Sequence, residues 1–168
     1  KNGKLNSDLE LYFDENLEIV NFIARGDVKE MSAEVDNDLA FKNTSFNFFA
    51  DKSDVLIKDI ISEVDGLLIK NGNLQIDKGK NIQIKSDFFT EIDINEKNIN
   101  NYLSLLKEKK FLNKKTNFKA NLNHNLSIVL DKTFKVIEYD YKNKGKINYL
   151  NLKLNKPINN SFLENKIE

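Results

Sequence analysis

Period-two alternation of apolar and polar side chains runs through most of this sequence and limits what the chain can fold into. In residues 9–13 and again in residues 46–48, every second side chain is apolar. Successive residues of a strand point to opposite sides, so this spacing places one apolar set on one face. The gaps between such segments are too short for crossover helices, which makes neighbouring strands antiparallel. The pattern predicts a mainly β protein built on an elongated, twisted antiparallel sheet.

Clusters of turn-forming residues separate the alternating segments. Each carries Gly, Asn, Asp or Ser, which tolerate the backbone angles of tight turns. We therefore expect hairpin turns at five places, which are residues 14–16, 51–54, 71–73, 78–81 and 142–145.

One segment has a helical period instead. Its apolar residues Ile99, Tyr102, Leu103 and Leu106 follow the spacing i, i+3, i+4, i+7, which is one face of an α-helix. Asn95 suits the N-cap position just before it. The spacing predicts an amphipathic helix at 96–111, whose expected role is to cover an edge or end of the sheet. A membrane-surface or partner-binding helix is the alternative.

Length and composition allow one domain or a piece of a longer repetitive protein. The chain has 168 residues, 40% of them hydrophobic, and no cysteine, which excludes disulfides and thiolate metal sites. It begins at Lys1 without an initiator methionine, so we expect it to be cut from a longer chain that carries any anchor or export signal. Zero net charge and a single arginine, Arg25, argue against a nucleic-acid partner.

The zero net charge hides an asymmetry along the chain. Residues 1–95 carry 11 basic and 19 acidic side chains, and residues 96–168 carry 15 basic and 7 acidic ones. We therefore divide the chain into an acidic β segment at 1–95, the helix at 96–111 and a basic β segment at 112–168, which we expect to form one continuous domain of a longer protein. The two β segments either present two solvated faces or pack by charge against each other or against neighbouring segments of a longer chain.

Catalytic and metal-binding constellations are not evident. His124 is the only histidine, and it is expected to be exposed on the polar side of a strand. Asp51, Asp54 and Asp59 lack the spacing of a calcium loop and are interpreted as a solvated turn. No phosphate-binding, dinucleotide-binding or nucleophile-elbow motif is present. The sequence predicts no enzyme activity, no metal and no cofactor.

The apolar face of the predicted sheet is the remaining candidate for function. A long apolar face has to be covered by another sheet, by a helix or by lipid. If it lines an open groove, the candidate lipid-contacting residues are Leu9, Leu11, Phe13, Phe46, Phe48, Ile57, Leu74, Ile76, Ile84 and Ile92.

A family resemblance supports the groove interpretation. The stretch 39–48, the aliphatic run 55–60, Val64-Asp65-Gly66 and the stretch 70–74 follow one another in an order that resembles AsmA-like bacterial envelope proteins. Within that family it resembles the large YhdP/TamB-type members. The resemblance covers about residues 3–155 and is one of pattern, without a diagnostic motif. The predicted central helix departs from the simplest family pattern.

The resemblance implies a periplasmic protein anchored to the inner membrane. Its elongated β-groove would carry phospholipid acyl chains towards the outer membrane or support envelope integrity, with no catalytic residues to transfer. Partners implied are a phospholipid or other lipid and neighbouring segments of the same longer chain. The alternative is a structural or adhesive β-repeat segment with a closed core and no lipid.

Overall fold

The computed structural model describes residues 2–34, 40–64, 67–99 and 115–152, and every element bounded within them is a β-strand. Eight strands follow in chain order: β1 (Asn2–Phe13), β2 (Ile19–Glu34), β3 (Ala40–Asp51), β4 (Asp54–Val64), β5 (Leu67–Lys78), β6 (Ile82–Ile94), β7 (Asn117–Leu130) and β8 (Val136–Asn151).

The eight strands form one open sheet in the order of the sequence. The registers from β1 to β5 are antiparallel throughout, with Leu9 opposite Ala24 and Phe48 opposite Ile57, for example. Strands contain 82% of the described residues, so little beyond turns connects them. The prediction of a mainly antiparallel β fold is confirmed.

Two of the five predicted turns are wrong. Residues 71–73 lie inside β5, and residues 142–145 lie inside β8. Asn71 adopts a positive φ of 52°, a conformation that asparagine tolerates, and the strand continues through it as a bulge. The predicted turns at 14–16, 51–54 and 78–81 do separate strands.

No α-helix is present among the described residues. Residues 100–111 of the predicted helix lie outside them. The predicted N-cap, Asn95, does have capping geometry: its Oδ1 accepts from the Lys97 N–H at 3.0 Å. Its own N–H donates to Asn98 Oδ1 at 2.8 Å, which is the reciprocal pattern of a capping box. No helix among the described residues is long and apolar enough to cross a membrane.

A row of backbone irregularities crosses the first five strands. The register of β1 shifts at Gly3, and residues with positive φ break β2 to β5 at Glu30, Asn43, Asp59 and Asn71. The four positive-φ residues are at β-bulges, each of which adds one residue to its strand and bends it locally. The shift at Gly3 is the register change of β1 opposite the bulge in β2. The bulges lie close together, because the one in β2 faces residues 44–46 and the one in β4 faces residues 72–74.

The chain divides into two compact units. Unit 1 contains the described residues up to Thr90 and those of 122–144, and unit 2 contains the described residues of 91–121 and 145–152. Within unit 2, Lys119 Nζ lies 2.9 Å from Asp93 Oδ2, and this contact lowers the pKa of the Asp93 carboxyl. Ile99 and Ala120 are buried there. The candidate site lies in unit 1.

Candidate functional site

One face of unit 1 is apolar, and the registers show which side chains share it. Phe48 lies opposite Ile57 on the next strand, and Ile57 lies opposite Leu74 on the one after. Directly opposed residues of paired strands project to the same side of a sheet. These side chains are half-buried, so the apolar parity of each strand forms a continuous surface, which we call the apolar face.

The bulges keep this face apolar where simple alternation would break it. Ile57 and Ile60 are three residues apart and would point to opposite sides of a regular strand. The extra residue at Asp59, with φ 56°, returns Ile60 to the apolar face. The bulge at Asn71 does the same for Ile69 and Gly72, since each bulge switches the parity by one residue.

A cavity of about 360 Å³ lies on the apolar face at the row of bulges. We call it the bulge cavity. Residues from five neighbouring strands line it, and most of them are hydrophobic: Met31, Ala33, Phe41, Thr44, Phe46, Ile57, Ile60, Ser62, Ile69, Gly72, Ser86 and Phe88. Such a lining favours an apolar ligand.

The three hydroxyl groups in this lining are bonded within the protein. Thr44 Oγ1 and Ser62 Oγ share a buried hydrogen bond of 2.7 Å. Ser86 Oγ donates to the Asn73 carbonyl oxygen at 3.0 Å. Buried polar groups without partners are costly, and here the partners are neighbouring strands. The bulge cavity therefore offers little polar recognition and a large apolar surface.

The ten residues predicted from sequence occupy different parts of the sheet. Phe46 and Ile57 line the bulge cavity, and Phe48, Leu74 and Ile76 continue the same face on their strands. Ile84 shares the parity of Ser86 and Phe88 on β6 and is half-buried.

The remaining four predicted residues lie away from the bulge cavity. Leu9, Leu11 and Phe13 lie on edge strand β1, where they are 62%, 44% and 52% exposed. Ile92 belongs to unit 2. The structure thus brings together the central residues of the predicted set, and whether any of the ten contacts lipid stays a prediction.

The expectation of an exposed His124 is wrong. Its side chain is on the apolar face with 8% exposure, and its ring stacks on Phe88 with centroids 4.5 Å apart and planes at 8°. Residues two apart in a strand point to the same face, so His124 lies on the same side as Leu122 and Leu126. Phe88 also lines the bulge cavity, so the histidine is one ring away from it.

Both ring nitrogens of His124 have partners. Nε2 shares a 2.7 Å hydrogen bond with Thr90 Oγ1 on β6, and Nδ1 shares a 2.6 Å hydrogen bond with the Tyr141 hydroxyl on β8. Burial lowers the pKa of His124 below its usual value, because the charged imidazolium is poorly solvated there. The neutral ring is thus held as a link across three strands.

Sequence reasoning missed this polar group and the bulges. The position of His124, two residues from both Leu122 and Leu126, indicates that its side chain is on the apolar face. The bulges left a weaker signal, since the apolar pairs Leu67/Ile69 and Leu74/Ile76 have opposite parity within a single strand. Only a bulge or a turn between them reconciles that change with one buried face, and Asn71-Gly72-Asn73 favours either.

The opposite face of unit 1 is mostly polar, with Phe49 and Ile61 as exposed hydrophobic side chains on it. Cross-strand amide–carboxylate hydrogen bonds recur on it, from Asn47 Nδ2 to Asp59 at 3.0 Å and from Asn73 Nδ2 to Asp87 at 2.9 Å. A concavity of about 870 Å³ lies among lysines, aspartates and amides there, with Lys58 as one example. Its mixed charge does not suit an apolar ligand. No group of three or more potential metal ligands occurs among the described residues.

The carboxylate of Asp51, in one predicted turn, accepts the N–H groups of Ser53 and Asp54 at 2.7 Å each. These bonds lower the pKa of Asp51 and fix the turn.

No protein-family model, no curated protein and no solved structure matches the chain.

Proposed function

We propose that this chain is a segment of an AsmA-like envelope protein that holds lipid acyl chains against its apolar face. The bulge cavity is the observation that carries the proposal. It combines about 360 Å³ of space with an almost wholly hydrophobic lining and hydroxyls already bonded within the protein. An alkyl chain needs such a surface and no hydrogen-bond partner.

The exposed apolar side chains of the edge strand extend the same surface. Leu5, Leu9 and Leu11 on β1 are 67%, 62% and 44% exposed, and they lie on the face shared with Ala24 and Phe22. Soluble monomers rarely leave contiguous apolar patches uncovered. Each methylene group removed from water stabilises a bound chain by about 0.8 kcal/mol, so covering this surface with acyl chains is favourable.

The proposal carries further expectations. The chain would act in the periplasm as part of a longer, inner-membrane-anchored protein, with neighbouring segments of that protein as partners and phospholipid as cargo. It would hold lipid without catalysing a reaction. The competing function is a structural β segment whose apolar face is covered by other parts of the protein. The exposed side chains of β1 are equally consistent with that function.

Native mass spectrometry of the gently purified chain distinguishes the two. We expect lipid adducts that organic extraction identifies as acyl lipids. A variant that fills the cavity, Ala33→Phe, is expected to lose most of that lipid, because Ala33 lines the cavity.

The matched control is Ala40→Phe. Ala40 is a half-buried alanine next to the cavity-lining Phe41 on β3 and opposite Glu34, so its side chain is on the other face of the sheet, and this variant should retain lipid. A wild-type chain without lipid, or an Ala33→Phe variant carrying as much lipid as Ala40→Phe, would contradict the proposal and favour the closed structural segment.

A further inference from the structure

A polar cluster interrupts the apolar face directly beside the bulge cavity. Its members are Thr90 on β6, His124 on β7, and Tyr141 and Asn143 on β8. The Phe88 ring joins the two regions, since one side of the lining is Phe88 and the same ring stacks on His124. An apolar cavity with a hydrogen-bonding group at one end is complementary to an amphiphile rather than to a hydrocarbon.

The hydrogen bonds of the cluster form one chain from Asn143 to Thr90. Asn143 Nδ2 donates to the Tyr141 hydroxyl at 3.4 Å. In the tautomer that carries the ring proton on Nε2, Tyr141 donates to His124 Nδ1 at 2.6 Å and His124 Nε2–H donates to Thr90 Oγ1 at 2.7 Å. The donors of this tautomer point inward from the exposed end, where Tyr141 is 44% exposed and His124 only 8%.

The exposed end of the cluster can donate hydrogen bonds to an oxygen atom of a bound ligand. Tyr141 and Asn143 present a phenol O–H and an amide N–H₂ there, and both donate readily to a carboxyl group. Of the partners that face the imidazole, namely Phe88, Thr90, Tyr141 and through it Asn143, none is a carboxylate. The cluster therefore contains no anionic hydrogen-bond acceptor of its own. A ligand with a carboxylate would supply one.

The size of the cavity leaves room in it for one alkyl chain. Pockets for small molecules span roughly 300–1,000 Å³, and about 360 Å³ is near the lower bound. That space suits a single alkyl chain and is small for two chains with a glycerol backbone. The other end of such a ligand would lie at Tyr141.

We infer that the bulge cavity and the Tyr141–His124–Thr90 row form a binding site for a long-chain fatty acid, with the alkyl chain in the cavity and the carboxyl group at Tyr141 and Asn143. This inference rests on the proposed function and narrows its ligand. On binding, the Tyr141 O–H turns from His124 Nδ1 to the ligand carboxylate. The neutral ring takes its other tautomer, so that Nδ1–H donates to the phenol oxygen and the Thr90 O–H donates to Nε2. The cluster gains and loses no proton overall.

The test compares palmitic acid with methyl palmitate by calorimetric titration of the delipidated chain. The ester keeps the alkyl chain and removes the acid, so wild type is expected to bind the acid roughly ten- to hundredfold more tightly, as hydrogen bonds to a charged group allow. The Tyr141→Phe variant keeps the ring beside His124 and removes the hydroxyl. It should bind acid and ester alike.

Tyr139→Phe is the matched control. Tyr139 lies two residues away on the same strand and face, is 62% exposed, and should keep the wild-type preference for the acid. Far-ultraviolet circular dichroism establishes that both variants are folded. Should Tyr141→Phe misfold, Asn143→Ala takes its place and is expected to reduce the preference.

The outcomes separate the two proposals. Equal binding of acid and ester by wild type, or a preference that survives Tyr141→Phe, overturns the fatty-acid site and leaves the lipid groove standing. Failure of both single-chain ligands together with binding of phosphatidylglycerol vesicles overturns the fatty-acid site in the same way. Failure of all three ligands overturns the groove itself.

Discussion

The central strands and the edge strand β8 follow the same alternation, yet they differ in burial. Ile57 on β4 and Tyr139 on β8 both occupy the apolar face, but Ile57 is half-buried and Tyr139 is 62% exposed. Alternation decides which way a side chain points. How much water it loses depends on whether strands lie on both sides of it and on how the backbone is shaped there.

The bulges explain why side chains of the central strands are more buried than two neighbouring strands alone would make them. Gly72 and Ser62 are buried on the apolar face beside the bulge at Asn71, and both are small. Small side chains at this level leave the space that the flanking Ile60 and Phe88 enclose. The strand β8 shows no positive φ among its residues and has no partner on its outer side in the described sheet. A cavity therefore forms at the centre of unit 1 and not at this edge.

The largest expected effect comes from filling that space at Gly72. A Cβ added there would lie 2.9 Å from Ile60 Cβ and 3.5 Å from Phe88 Cβ, so Gly72→Val should destabilise the chain by about 3 kcal/mol through overpacking. Urea unfolding followed by circular dichroism measures it. Gly79→Ala is the control, because its nearest atom is the end of the Asp77 side chain at 3.3 Å. Equal unfolding midpoints would show that the centre is loosely packed.

The hydroxyl pair beneath the cavity gives the next largest effect. Ser62→Ala leaves Thr44 Oγ1 buried without its 2.7 Å partner and should cost about 2 kcal/mol. Adding Thr44→Val removes the orphaned group, so the double variant should lose less than the sum of the single ones. Thr133→Ala removes an exposed hydroxyl bond to Asp131 and should change stability little. Strict additivity at Thr44 and Ser62 would mean that the pair is solvated.

His124 is hydrogen-bonded to Thr90 on β6 and to Tyr141 on the edge strand β8. The pH dependence of stability tests whether its ring is buried as these bonds require. Its folded-state pKa is lowered, so the unfolded chain binds the proton first as pH falls below about 6.5. Stability should therefore be complete above that pH and decline on acidification, by at most about 1.4 kcal/mol per pH unit. The lowered pKa values of Asp51, Asp93 and Asp131 act in the same direction, but in the more acidic range of carboxyl groups.

Unfolding at pH 7 and pH 5 measures the histidine contribution, with His124→Gln as the control that should lose it. An unchanged slope in this variant would show that His124 is solvated and does not hold β8.

The sequence predicted the parts of this molecule that depend on local pattern. Alternation predicted the antiparallel strands, and the capping residue Asn95 was recognised from its type and position. The bulges were not predicted, because Asn71-Gly72-Asn73 favours a turn as readily as a positive φ inside a strand. The choice between them depends on pairing with Ile60 and Ser62 on the neighbouring strand, which no local pattern contains. The bulge cavity follows from that pairing, and the Thr44–Ser62 bond follows from the bulged pairing of β3 with β4.

The smallest expected effect is at the edge, and it tests the comparison most directly. Ile137 on β8 is 57% exposed, so Ile137→Ala should change stability by less than about 0.5 kcal/mol. Ile57→Ala, at a half-buried position in the cavity lining, should cost roughly 2 kcal/mol. Equal costs would mean that β8 is covered in solution by lipid or by another strand. Repeating the unfolding after delipidation and at several protein concentrations separates these two covers, since only pairing between chains depends on concentration.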